Sequence, residues 1–456
     1  MRSFVALLAS LPLAAAAQAP AYAHERARID SLVSAEVASS PIAGLAVAVV
    51  KGRDTIVMRG WGFADLENDV AVTPAHVFRI GSITKQFTSA AIMQFVEKGR
   101  LSLDDTLGAL LLNMPASWRK VTLRQLLNHT SGIPSYTDIG AKWQRRWRED
   151  MLPDSLLAFT TADTMNFAPG AKWRYDNTGY VLLGMILDKV TGKPYPKYLE
   201  EQFFKPLGLT STLYCYTQPI IKHRALGYNR VGKQFVNAEY LSMTQPYSAG
   251  ALCSTVGDLV RWTRALHGGA IVNAASFAQM TMPSGAAAPS HYGFGLSVDS
   301  LSGHPRVAHG GGIHGFQSML AHYPKDSLTV AVLVNSPPAP VDLMATNLAR
   351  IMFGLPLQGG AMQRVTLTAA QLAPYVGDYP LVLPDGNKLV IHVSANGDKL
   401  MAQGEGQGAF ELIPYGNHTF GAEFDRTMRL TFEVANGRAT KLRLRQGDME
   451  TEGARR

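Results

Sequence analysis

The spacing of apolar residues changes character several times along the chain. Residues 25–39 carry apolar positions at helical spacing and predict a first helix over Glu25–Ser39. The stretch "IAGLAVAVVKGRDTIVMRGW" then turns β-branched and continuous. It predicts a strand over Ile42–Val50, a tight turn at Lys51-Gly52-Arg53 and a second strand over Thr55–Trp61. From Thr84 to about Gly268 the pattern is mostly helical, broken by Pro/Gly loops such as "NHTSGIPSY" and "FAPGAKW". Strand-like alternation returns in "YGFGLSVD", "PRVAHGG", "FQSMLAHYP" and "SLTVAVLVNS", and a helix over Val341–Phe353 closes the region. Sheet segments at both ends with helices between predict an α+β fold. Its first and last strands share one antiparallel sheet flanked by helices, beside an all-helical region.

The pattern changes once more near the C-terminus. "NKLVIHVSANGDKLMAQ", "AFELIPYGNHTF" and "TMRLTFEVANGRATKLRLRQ" are short strands with Asn396-Gly397 and Asn436-Gly437 at turn positions. They predict a small all-β barrel over 371–456, joined through a linker over 357–370 to a main domain over 24–356. A length of 456 residues exceeds one ordinary core and agrees with such a division.

Composition adds little to the fold and more to the setting. With 46% hydrophobic and 17% charged residues, the chain is globular. The formal net charge of +8 is spread without a dense Lys/Arg block, which argues against nucleic acid as a partner. The N-terminus pairs Arg2 with a short apolar core, Phe4–Ala17, and with Ala21-Tyr22-Ala23, a small-x-small cleavage site. Residues 1–23 therefore read as a signal peptide, His24 as the first mature residue, and the destination as periplasmic or secreted. No later apolar run is long enough to span a membrane. Two cysteines, Cys215 and Cys253, are candidates for a disulfide after export, with two buried thiols as the alternative. No C-x-x-C motif suggests zinc, and neither a metal nor another cofactor is expected.

Candidate chemistry centres on "FRIGSITKQFTSAAIMQFVEKG", where Ser82 precedes Lys85 by three residues at the start of a periodic helix. Residues three apart share a helix face, so Lys85 can reach the Ser82 hydroxyl. The free N–H groups of a first turn favour negative charge on that oxygen. A lysine acting as base must be neutral, which requires burial or cationic neighbours. Tyr175 and Asn177 precede an apolar helix, in a loop expected to face outward. His309 ends an expected strand and is followed by Gly310, Gly311 and Gly312, which admit close backbone approach. Each pattern has a decoy: Ser117/Lys120 in a loop, Tyr415/Asn417 at a turn of the β module, and His267-Gly268-Gly269 at a helix end.

Taken in order, Ser82/Lys85, Tyr175/Asn177 and His309/Gly311 resemble the three motifs of the serine β-lactamase and penicillin-binding-protein superfamily. The resemblance is to its class C-like branch, with D-aminopeptidases, DD-peptidases and esterases. "LLNHTSGIPSY", "PGAKWRYDNTGYVLLGMIL", "PLGLTST" and "SAGALCSTVGDLVRW" add to it across Ile42–Phe353. The last stretch resembles the lipocalin-like module attached to some of these hydrolases. The resemblance implies Ser82 as acylated nucleophile, with Lys85 and Tyr175 sharing base and acid roles. Asn177 and Gly311 would bind substrate, and His309 would hold Tyr175 by hydrogen bond and charge. The N–H groups of Ser82 and Gly312 would form the oxyanion hole.

One departure bears on substrate. The family often places Thr or Ser after the third-motif cation, and its hydroxyl meets a substrate carboxylate; here that position is Gly310. The leading expectation is an exported serine hydrolase acting on a small peptide, amide or ester. A class C-like β-lactamase or DD-carboxypeptidase is the second reading, and a penicillin-binding sensor that acylates without turnover is the third.

Overall fold

A computed structural model describes the chain except residues 1–20, 41, 162–163, 233, 360–363, 384–387, 406–407, 423 and 448. Most of the expected signal segment thus lies outside the described residues. Tyr22 already precedes the first helix, Ala23–Ser39.

The central sheet has seven antiparallel strands. The strand Gly44–Lys51 pairs on one side with Asp54–Asp65 and on the other with Leu328–Val334, so the two ends of the domain do share one sheet. Beyond Leu328–Val334 come Phe316–Tyr323, His304–Ile313 and Ser297–Leu301. Alternation decides which layer each side chain joins. Leu45, Val47 and Val49 pack with Val330, Val332 and the helices Ala23–Ser39 and Val341–Met352. Ala46, Ala48 and Val50 face the larger core built by the helical region. Helices cover both faces, which is why these strands read as continuous apolar runs rather than alternating ones.

The region expected to be mostly helical also holds short strands. Phe78–Arg79, Leu252–Ser254 and Leu213–Tyr214 form a three-stranded sheet, and Tyr228–Val231 pairs with Gln234–Asn237 as a hairpin. Strands of two to four residues are too short to leave a period in the sequence. They matter because Phe78–Arg79 leads directly into the Ser82 turn. Cys253, opposite Arg79 in this sheet, is bonded to Cys215, with a Cα–Cα distance of 5.2 Å.

The C-terminal unit is a nearly closed barrel of eight antiparallel strands in sequential order. Its first and last strands meet where Arg456 N–H donates to the Asp378 carbonyl at 2.9 Å and Thr451 Oγ1 donates to the Val382 carbonyl at 2.6 Å. The interior is apolar, with Tyr379, Leu381, Leu400, Phe420, Leu430 and Leu442 buried. Asn436 and Gly437 both adopt positive φ in a two-residue turn between paired Ala435 and Arg438. At the other expected turn Asn396 stays in the strand, paired with Lys399, and Gly397-Asp398 make the loop.

A bond between residues 38 apart corresponds to roughly 4 kcal/mol of loop-closure entropy. The unreduced, unfolded protein is expected to show no reactive thiol. Replacing both cysteines by alanine is expected to lower unfolding stability by about 2–4 kcal/mol in urea titrations. Two reactive thiols, or an unmoved urea midpoint, would contradict the bond.

Candidate active site

Ser82 lies in a 3-10 turn, Gly81–Ile83, that feeds the helix Thr84–Glu97. The helix therefore starts two residues later than the pattern suggested. It is buried almost all round, from Thr84 through Met93, so Lys85 is fully buried although it occupies the first turn. Burial holds the Lys85 pKa well below the ordinary lysine value, against the pull of Asp176.

Three oxygens surround the Lys85 amine. Nζ lies 3.1 Å from Ser82 Oγ, 2.8 Å from Asn177 Oδ1 and 2.8 Å from the Ala249 carbonyl. The amide of Asn177 is fixed by its Nδ2, which donates to Thr137 Oγ1 at 3.0 Å. Asn177 Oδ1 and the Ala249 carbonyl can only accept, so when the amine is neutral they take its two N–H bonds. The third tetrahedral direction, toward Ser82 Oγ, is left for the lone pair. That arrangement can receive the serine proton.

Asn177 is the first residue of the helix Asn177–Thr191 rather than part of an outward loop. Tyr175, two residues earlier, is half-buried with its hydroxyl fully enclosed. The hydroxyl lies close enough to Ser82 for the serine to favour its ionised form, but it has no hydrogen-bond partner among the described residues. Burial dominates and raises the Tyr175 pKa. Lys85 Nζ sits 4.7 Å from the centre of the Tyr175 ring.

His309 lies inside the strand His304–Ile313 and not at its end, because the three glycines continue the pairing with Phe316–Tyr323. It does not hold Tyr175. Its Nε2 is 2.8 Å from Tyr292 Oη, and its Nδ1 contacts the Gly310 carbonyl. The expected charge is also absent: burial pushes the His309 pKa down to about 4, so the ring is neutral at pH 7.

The glycine strand abuts the serine turn. A Cβ on Gly311 would stand 2.0 Å from the Ile80 carbonyl, and a Cβ on Gly81 would stand 2.9 Å from Gly312 N. These contacts set the Gly312 N–H beside the Ser82 turn, where the expected oxyanion donors belong. Gly312 is exposed, and a Cβ there would meet nothing within 4 Å. Behind this strand a cavity of about 1530 Å³ opens between Gly310–Gly312 and barrel residues including Phe410, Tyr415 and Arg429.

The decoys sit elsewhere. Ser117 and Lys120 are exposed on a turn, Asn417 takes a positive φ at a barrel turn, and His267 ends the helix Val256–His267. Sequence reasoning missed Ala249, Tyr292, His129 and Asp176. Asp176 is buried, and burial raises its pKa to about 7. Its backbone N–H donates to His129 Nδ1 at 3.1 Å. His129 and Asp176 were visible inside phrases already singled out, "LLNHTSG" and "RYDNTGY". Ala249 acts through its carbonyl, which leaves no signal in the sequence.

Comparison with known proteins identifies relatives of the fold. The beta-lactamase family profile matches residues 29–352. Protein flp of Staphylococcus aureus (strain COL) is 31% identical over 242 residues, covering 52% of this chain and 48% of its own length. The chain thus spans about half the length of that relative. A D-stereospecific amidohydrolase from Streptomyces sp. is 30% identical, with a TM-score of 0.64 over 73% of this chain and 99% of the other. The octameric penicillin-binding protein homologue from Pyrococcus abyssi shares the fold over 93% of this chain and 99% of its own, with a TM-score of 0.66 and 24% identity.

The close approach at Gly311 generates a test. Gly311→Ala is expected to destabilise the protein by about 1–3 kcal/mol or more and to slow Ser82 acylation by a fluorophosphonate roughly a hundredfold. Gly312→Ala is expected to leave the melting temperature unchanged. Equal melting temperatures for the two variants would contradict the packing described.

Proposed function

The chain belongs to the beta-lactamase family of serine hydrolases, and from that premise we propose that it cleaves small peptide, amide or ester bonds through an acyl-enzyme on Ser82. The observation that carries this reading is the buried Lys85 amine, held by two pure acceptors with its remaining direction on Ser82 Oγ. Neutral Lys85 removes the Ser82 proton as the oxygen attacks the substrate carbonyl. The Ser82 and Gly312 N–H groups stabilise the oxyanion. Tyr175, its proton retained by burial, donates to the leaving group and is reset from Lys85. Water then releases the acyl group by the reverse proton path.

Amidase or esterase activity is favoured over β-lactamase or DD-carboxypeptidase activity. A penicillin or an acyl-D-Ala-D-Ala substrate offers a free carboxylate. The third-motif position here presents a neutral His309, and Gly310 has no hydroxyl. The likeness to a D-stereospecific amidohydrolase supports the same choice. Export is part of the proposal. It rests on the N-terminal sequence and is supported by the disulfide; N-terminal sequencing of the mature protein should begin at His24.

Two measurements test the reading. A fluorophosphonate should label Ser82; Ser82→Ala should abolish labelling and Ser117→Ala should not, and the reverse pattern would overturn the assignment. For turnover, kcat/KM for a D-alanine amide or short ester should exceed that for a matched substrate ending in a free carboxylate. A missing charge-assisted hydrogen bond costs about 1.5–3 kcal/mol, or roughly ten- to a hundredfold. Gly310→Thr should narrow the gap; a Cβ there meets no heavy atom closer than 3.4 Å. A clear preference of the unaltered protein for the carboxylate-bearing substrate would favour the β-lactamase or DD-peptidase reading instead.

A further inference from the structure

Tyr292 lies in "SHYGFGLSV", outside the three motifs, yet its hydroxyl makes the side-chain hydrogen bond to His309. The segment is seated by glycines that tolerate no side chain. A Cβ on Gly293 would stand 2.0 Å from the Met280 carbonyl. A Cβ on Gly295, whose φ is +69°, would stand 2.7 Å from both the Lys85 carbonyl and Ser89 Oγ. The segment therefore lies directly on the backbone of the helix that carries Lys85. The same contact delivers the Tyr292 ring, 4% exposed, to the back of His309, 6% exposed.

The two hydrogen bonds of His309 fix where its proton is. The Gly310 carbonyl can only accept, so His309 Nδ1 carries the hydrogen and donates it. Nε2 of the neutral ring is then an acceptor 2.8 Å from Tyr292 Oη, and the Tyr292 hydroxyl, which also meets Tyr180, can turn its O–H to it. Reversing the tautomer would set two acceptors, Nδ1 and a carbonyl oxygen, against each other. We propose that Tyr292 is a positioning and specificity-determining residue: its hydroxyl locks His309 as the neutral Nδ1–H tautomer and thereby removes the cation that would receive a substrate carboxylate. This rests on the hydrolase reading and deepens it. It makes the preference for uncharged leaving groups a property of Tyr292 as well as of Gly310.

The surroundings favour the same state. The titratable groups facing His309 are Tyr292, Tyr175, Lys85 and His129. None is a carboxylate, and among the described residues no carboxylate is hydrogen-bonded to the ring. A hydroxyl held as donor to Nε2 favours the neutral ring, because the cation is met only if the hydroxyl turns to accept, so its removal is expected to raise the pKa. The folded-state value of about 4 lies below the ordinary histidine value, so any rise brings protonation closer to working pH.

Ring-nitrogen NMR of the full-length protein labelled with 15N-histidine tests this, with His309→Gln identifying the His309 signals. In the unaltered protein His309 is expected to show protonated Nδ1 and unprotonated Nε2, without titration between pH 5 and 8. In Tyr292→Phe its midpoint is expected to rise by about one pH unit, the equivalent of one hydrogen bond of about 1–1.5 kcal/mol. The kcat/KM ratio of a D-alanine amide to a substrate ending in a free carboxylate is expected to fall roughly tenfold at pH 5 and little at pH 8 in that variant. A protonated Nε2 in the unaltered protein, or an unmoved midpoint in Tyr292→Phe, would overturn the tautomer lock. An unchanged ratio at both pH values would overturn the role in specificity. Failure of the unaltered protein to acylate Ser82 at all would sink the hydrolase reading, whereas the NMR spectrum decides the tautomer independently.

Discussion

The organising constraint is a lysine amine taken wholly out of water in the first turn of a helix. Removing an ammonium group from water costs several kcal/mol unless it is paired or sheds its proton. No carboxylate is hydrogen-bonded to Lys85 among the described residues; its partners are a hydroxyl, an amide oxygen and a main-chain carbonyl. The inexpensive state is therefore the neutral amine, which is also the state that can act as a base. The rest of the domain keeps water away from it. Helices cover the serine helix, the Gly295 segment lies on its backbone, and the Gly311 strand closes against Ile80. The small sheet tied by Cys215–Cys253 anchors the strand entering the Ser82 turn.

Much of this was legible in the chain. The shared sheet followed from apolar strands at both ends of one domain, and the pairing of Gly44–Lys51 with Leu328–Val334 realises it. The proximity of Ser82 and Lys85 followed from helical spacing. What stayed illegible depends on geometry that leaves no period. The two-residue strand Phe78–Arg79 has no alternation to read, and a backbone acceptor such as the Ala249 carbonyl has no side chain to flag it. The expected pairing of His309 with Tyr175 fails because membership in one motif set says nothing of orientation. Tyr175 and His309 share the site, with ring centres 6.3 Å apart, but the hydrogen bond goes to Tyr292 from a fourth segment.

The third-motif strand combines a position fixed by packing with positions left open. Its glycines are not equivalent. Gly311 is demanded by the Ile80 carbonyl, whereas Gly310 and Gly312 leave room for a side chain. The enforced glycine maintains the architecture of the site, and the unenforced ones are free to set what it accepts. With a neutral imidazole at 309 and no hydroxyl at 310, these two positions themselves offer an anion neither charge nor hydroxyl. The large cavity behind the same strand, walled partly by the barrel, leaves space there that a single hydrolase domain would not enclose.

The central claim is that Lys85 is a neutral amine at working pH. Titration of 15N-lysine-labelled protein by NMR, with Lys85 identified from a Lys85→Met variant, tests it most directly. The account predicts that the Lys85 amine loses its proton well below the ordinary lysine value of about 10.4. A Lys85 signal that stays an ammonium up to pH 10 would contradict it.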